Sequence, residues 1–203
     1  NIYADFSYTL FLEEDKRLAF GIKGGITFLD VQELETIDYD PLNIPIHETS
    51  PNFGAGVFYY TDRFYAGLSI PNFLETRHLE KDGGVVSSAS EKMHYFITSG
   101  YVFELSDQVK LKPSTMIKAT SGAPLSVDIS ANMLLNNSLE FGLSYRFDDS
   151  VSAIIGFNVN SDFRIGYAYD HTTTRFGDYN NGSHELLLLF DLNRKNIKSP
   201  RFF

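Results

Sequence analysis

The chain has 203 residues, a formal net charge of −9, and neither cysteine nor tryptophan. The length suits a single all-β domain. The acidic balance excludes a nucleic-acid-binding surface, and the lack of cysteine excludes disulfides, thiolate metal sites and thiol nucleophiles.

Taken in order, Ile2, Ala4, Phe6, Tyr8, Leu10 and Leu12 alternate with Tyr3, Asp5, Ser7 and Thr9, the period of a strand with one apolar face. Glu13 to Arg17 reads as a charged turn, followed by a second alternating run through Leu18, Phe20, Ile22, Ile26 and Phe28. A long acidic connection, Asp30 to Ser50, leads to two aromatic, glycine-punctuated runs, Pro51 to Tyr60 and Phe64 to Pro71. These predict a tight hairpin with a proline closing each end and large side chains packed on neighbouring glycines. A second long connection, Asn72 to Ser90, precedes closely spaced strands. Their alternating positions run through Tyr95–Leu105, Val109–Ile117, Leu125–Met133, Leu139–Phe147, Val151–Val159, Phe163–Tyr169 and Glu185–Leu192. No stretch predicts a helix. The whole reads as about eleven strands in a linear meander.

Which face is wet separates a soluble barrel from a membrane barrel. No apolar run approaches the about 20 residues of a membrane helix, but barrel strands need only alternate, so their mean hydropathy is unremarkable. The polar face mixes small residues (Gly21, Gly25, Gly142, Gly166, Ser130, Ser144) with opposite charges (Lys23, Asp128, Glu140, Arg146, Arg164), as a crowded, hydrated lumen would. Aromatic residues such as Tyr8, Phe28, Tyr59, Tyr60, Tyr145, Phe147, Phe163 and Tyr169 stand near strand ends, as in interfacial girdles. Short turns alternate with longer connections. The expected fold is therefore an all-β transmembrane antiparallel up-and-down barrel over residues 1–192 with a short basic tail, 193–203. Single-chain bacterial barrels have even strand counts. An odd count here predicts that this is the C-terminal portion of a longer chain whose N-terminal strands precede Asn1.

Candidate chemical sites dissolve on inspection. His184-Glu185 lacks the second histidine that a zinc-protease helix requires, since position 188 is Leu, and His47, His78, His94, His171 and His184 show no metal-ligand spacing. His94 and Ser99 point to opposite faces of a strand, and Asp170-His171 reads as the entry to a loop. Gly21 to Gly25 lacks the spacing of a phosphate loop. The acidic stretch Glu33 to Asp40 reads as a solvated loop, with surface Ca²⁺ as the alternative. The tail cations Arg194, Lys195, Lys198 and Arg201 suit a periplasmic partner or phosphate head groups equally. No catalytic, cofactor-binding or metal site is expected, and the protein is expected not to be an enzyme.

The hairpin Pro51-Asn52-Phe53-Gly54-Ala55-Gly56-Val57-Phe58-Tyr59-Tyr60 with Phe64-Tyr65-Ala66-Gly67-Leu68-Ser69-Ile70-Pro71 resembles the signature hairpin of the PorP/SprF family. These are outer-membrane proteins of the type IX secretion and gliding system in Bacteroidetes. Phe6-Ser7-Tyr8, Leu18-Ala19-Phe20-Gly21-Ile22, His184 to Leu188 and the tail Ser199-Pro200-Arg201-Phe202-Phe203 are similar to other parts of its pattern. The resemblance implies fourteen strands in the complete barrel and location in the bacterial outer membrane, among lipid and lipopolysaccharide. It also implies a role in secreting or anchoring adhesins, or other type IX cargo, through their C-terminal signal domain. Periplasmic type IX or peptidoglycan-associated components would be further partners, and nucleic acid would not. A transport barrel for small solutes is the alternative, and a soluble β-barrel binder a third reading.

Overall fold

The structure, a computed structural model, describes residues 1–31, 46–74, 77–78, 89–90, 92–160 and 162–190. The strands in chain order are β1 (Ile2–Phe11), β2 (Arg17–Val31), β3 (Ile46–Tyr60), β4 (Phe64–Ile70), β5 (Arg77–His78), β6 (Ala89–Ser90) and β7 (His94–Tyr101). They continue as β8 (Phe103–Ser106), β9 (Val109–Thr120), β10 (Ser126–Leu135), β11 (Leu139–Arg146), β12 (Ser150–Asn158), β13 (Phe163–Thr172) and β14 (Ser183–Phe190). One antiparallel sheet runs β1-β2-β3-β4-β7-β9-β10-β11-β12-β13-β14, with β8 also on β9. β7 and β8 share one register, since Gly100 faces Ser114 and Phe103 faces Leu111. They form a single strand interrupted at Val102, whose N–H donates to the Arg63 carbonyl at 2.8 Å. The meander therefore has the expected eleven rungs. Among the described residues no pairing joins β1 to β14, so the sheet is open, the wall of an antiparallel up-and-down membrane barrel.

Residues paired across strands share a face, so the registers sort every strand position. One face carries Phe6, Ile22, Val57, Leu68, Ile97, Ile117, Ile129, Leu143, Ile155, Ile165 and Leu188. It is apolar and bare: Leu143 is 64% exposed, Phe6 64% and Ile155 44%. The opposite face carries Asp128, Glu140, Arg146 and Arg164, all part-buried, as inside the concave side of a wall. The buried apolar residues among those described, Tyr60, Tyr65, Val102 and Leu134, lie on this polar face, and no dry centre packs Phe141, Leu143, Ile155 or Ile165. Greasy side chains face away from the cylinder, the inversion that distinguishes membrane barrels from soluble ones.

Several sequence expectations shift. β3 runs through Pro51, which faces Ile26 in the ladder, instead of starting after it. β2 and β3 extend to Val31 and from Ile46, shortening the Asp30–Ser50 connection, and β5 pairs with β6 inside the Asn72–Ser90 connection. A 3₁₀ turn, η1 (Arg175–Tyr179), occupies the loop after β13, and the last strand begins at Ser183, two residues before the expected Glu185, and runs to Phe190, with the expected Asp191 and Leu192 lying outside the described residues. Tight turns at 12–16, 61–63, 107–108, 136–138 and 159–162 lie at one end, called the lower end here. The long connections 32–45, 71–93 and 173–182 join strand ends at the upper end, as do two short ones, 121–125 and 147–149, so the alternation of lengths lapses between β9 and β12 and returns at 173–182. The left-handed Asn136 (φ 50°) and Asn137 (φ 52°) close the β10–β11 hairpin as asparagine readily can. The acidic stretch Glu33 to Asp40 and the basic tail 193–203 lie outside the described residues.

Candidate functional surface: the inner wall and the upper rim

The small residues of the signature hairpin are divided between its two faces. Gly54, Gly56 and Gly67 lie on the inner face with Phe58, Tyr60 and Tyr65, while Ala55 and Ala66 lie on the outer one with Phe53 and Tyr59. The inner rings form a slab, with Phe58 5.6 Å from Tyr60 and 5.7 Å from Tyr65 between centroids. They lie flat on glycines. A Cβ at Gly67 would stand 2.7 Å from the Phe58 ring, and one at Gly100 2.6 Å from the Tyr65 ring. Arg17 reaches over the same slab, 5.6 Å from the Tyr60 centroid and 6.0 Å from that of Phe11, and meets Asp62 of the lower turn at 3.5 Å. Above it, Lys23 sits 3.8 Å from the Tyr3 ring, which covers Gly25 and whose hydroxyl is 3.1 Å from Thr27 Oγ1. Between these layers a shallow recess of about 270 Å³ lies over Ser7, Gly21, Gly54, Gly56 and Ser69. Sequence alternation missed the inner aromatics because Phe58, Tyr59 and Tyr60 are adjacent and occupy both faces.

From β9 to β13 the inner wall is ionic. Asp128 accepts from Arg146 Nε at 2.7 Å and pairs with Lys118 Nζ at 3.0 Å, and Arg146 reaches on to Asp149 in the upper turn at 3.0 Å. Lower down, Glu140 accepts from Asn132 Nδ2 at 3.2 Å and Arg164 Nη1 at 3.5 Å, crossing over Gly156 to do so. Ser130 and Ser144 share a hydrogen bond of 2.8 Å, and Ser152 donates to Asp170 at 2.5 Å. Such pairing is what a low-dielectric, partly dry wall requires of its charges. At the exposed lower turn, the Glu13 carboxylate accepts from Lys16 at 2.6 Å and raises its pKa, chiefly through that hydrogen bond.

The candidate hydrolytic pairs do not assemble. His94 is on the inner face and Ser99 on the outer. Asp170 and His171 are both inside β13 and not at a loop entry: Asp170 points inward to Ser152, while His171 stacks outward on Tyr169 at 6.4 Å. His184 also lies outside, 2.6 Å from the Tyr167 hydroxyl and 4.9 Å from the Tyr169 ring. Those rings belong to an upper outer girdle with Tyr145 and Phe147, 5.1 Å apart. A lower girdle carries Tyr101 and Phe103, 4.6 Å apart, and Phe163 and Phe190, 4.4 Å apart. Tyr60, expected in the girdles, instead faces inward, as does Tyr3. Among the described residues no group of histidine and carboxylate side chains could hold a metal ion.

On the upper rim, loop 173–182 folds down onto its neighbour, with the Thr173 N–H donating to the Asp149 carbonyl at 2.8 Å and the Tyr169 hydroxyl to the Asn181 carbonyl at 3.0 Å. Its tip leaves Tyr179 87% exposed.

No curated protein sequence matches the chain. The family model described as "Type IX secretion system membrane protein PorP/SprF" matches residues 1–190, and so spans the hairpin, both inner-wall regimes and the closing strand. The chain belongs to the PorP/SprF family and is a membrane component of the type IX secretion system.

Proposed function

We propose that the protein is a non-enzymatic barrel of the bacterial outer membrane that receives or anchors type IX cargo, adhesins in particular, through the cargo's C-terminal signal domain. The observation that carries this reading is one-sided. The connections 32–45, 71–93 and 173–182 all leave the same end of the sheet, and the opposite end has only tight turns. A rigid wall with its chain length concentrated at one rim suits presentation of loops to a partner on one side of the membrane. The paired inner charges and flat inner rings suit a filled interior better than a wide solute channel. Periplasmic type IX or peptidoglycan-associated components would then meet the lower turns, and lipopolysaccharide the upper outer girdle.

The experiment is to shorten each upper connection, keeping the flanking strands, and to measure surface-attached adhesin in cells along with conductance of the purified barrel in planar bilayers. Loss of attachment with low conductance throughout is the expected result. Full attachment after all three deletions, or large conductance in the unaltered protein, overturns the anchor and favours the transport barrel.

A further inference from the structure

The outer face of the sheet carries almost nothing that ionises near neutral pH. Among the described side chains that the registers place on this face, from β1 to β14, there is no Asp, Glu, Lys or Arg. Two histidines are the exception, and they are neighbours. His171, near the upper end of β13, stacks on Tyr169, and His184, near the upper end of β14, stands opposite Tyr169 and packs on the same ring. Both imidazoles are exposed. His184 Nδ1 is engaged by the Tyr167 hydroxyl, and the Tyr169 hydroxyl by the Asn181 carbonyl. His184 Nε2 and both ring nitrogens of His171 have no hydrogen-bond partner among the described residues. A polar, ionisable group on a lipid-facing surface is costly unless it meets a partner. At the level of the girdle the partner on offer is a lipid headgroup.

We propose that His171 and His184, braced by Tyr167 and Tyr169, form a binding site for the phosphate of an outer-leaflet lipid. An imidazole, neutral or protonated, carries an N–H that can donate to a phosphate oxygen. In the tautomer in which the Tyr167 hydroxyl donates to Nδ1, His184 holds its proton on Nε2, the nitrogen left for the ligand. Below the histidines on the same face, Ile165, Leu186 and Leu188 are exposed, a run that suits the acyl chains of the same lipid. Donors above and an apolar strip beneath select a phospholipid over a free phosphate. The inference rests on the outer-membrane location proposed above and is independent of cargo attachment at the rim.

The test is native mass spectrometry of the full-length protein folded in a phosphate-free sugar detergent. The probes are phosphatidic acid, diacylglycerol with the same chains, and inorganic phosphate. Phosphatidic acid should bind saturably, and the other two should not. Replacing both histidines, His171→Leu with His184→Leu, should weaken phosphatidic acid binding about tenfold, the equivalent of one charged hydrogen bond. His94→Gln, on the inner face, should leave it unchanged. Leucine suits a lipid-facing position, so the double variant should keep the heat-modifiable folded form and normal surface-attached adhesin in cells. If it is not recovered, His184→Leu alone decides the matter, with a several-fold loss expected. Diacylglycerol or inorganic phosphate binding as tightly as phosphatidic acid, or an affinity for phosphatidic acid that the histidine substitutions leave unchanged, overturns the proposal while the membrane location stands. A protein that folds and stays in aqueous solution without detergent overturns the location and the lipid site together.

Discussion

The inner wall of β2, β3, β4 and β7 and that of β9 to β13 solve one problem by different physics. The first is covered by Phe58, Tyr60 and Tyr65 lying on Gly67 and Gly100, so contact area and close approach of backbone to ring hold it. The second is held by Lys118, Asp128, Arg146 and Asp149, with hydroxyl pairs between the charges. Their outer faces do not differ in this way: both present exposed Leu, Ile, Phe and Tyr. Lipid constrains one face to a narrow chemistry along the whole sheet, whereas the inner face is free to vary.

That contrast predicts different sensitivities. The largest effect is expected in the first region from Gly54→Val, because a Cβ there runs into the Pro71 carbonyl, a backbone atom of the neighbouring chain segment that cannot step aside. The heat-modifiable, folded form on unheated gels should disappear. Gly21→Ala, with nothing within 4 Å of its added methyl, should fold as wild type. If both variants fold equally well, the close-packed description of this wall is wrong.

In the second region Arg146→Ala should cost about 2 kcal/mol, since Asp128, with a side chain 13% exposed, loses one of its two cations. Adding Asp128→Ala should recover part of that loss in urea unfolding from detergent or lipid, which a merely additive pair would not do. Tyr65→Leu should cost about 1–2 kcal/mol by removing the ring that covers Gly100. The same midpoint measurement checks it, and an unchanged midpoint would show that the slab contributes nothing. The smallest effect belongs to Lys16→Ala. The raised pKa of Lys16 means that its pairing with Glu13 favours the folded state below the unfolded pKa and is lost as pH rises through the folded one. On a fully exposed turn that contribution should leave no measurable change in midpoint near neutral pH.

Much of this was legible in the sequence. Strict alternation from Leu125 to Tyr169 fixed both strands and faces, because a slip of one residue there would place Asp128, Glu140 and Arg164 in lipid. The hairpin was legible as a hairpin, and its packing of rings on glycines was anticipated. Its face assignment was not, since consecutive aromatics carry no period-2 signal. Pro51 inside β3 was unreadable for a related reason: a proline at a position whose N–H makes no ladder bond leaves the local pattern intact, as Pro113 does within the expected Val109–Ile117 run. The ion pairs linking Lys118 to Asp128 and Asp128 to Arg146 depend on register between strands, which composition does not encode.

The central claim is that the odd-numbered face of β11 meets lipid and the even-numbered face meets the lumen. The chain contains no cysteine, so single substitutions Leu143→Cys and Ser144→Cys can each carry a nitroxide spin label in the barrel reconstituted in bilayers. Collision with oxygen, which concentrates in lipid, should be high and collision with a water-soluble nickel chelate low at position 143, with the opposite at 144. High nickel accessibility at 143 together with a dry, oxygen-poor or lipid-like signal at 144 would contradict the account.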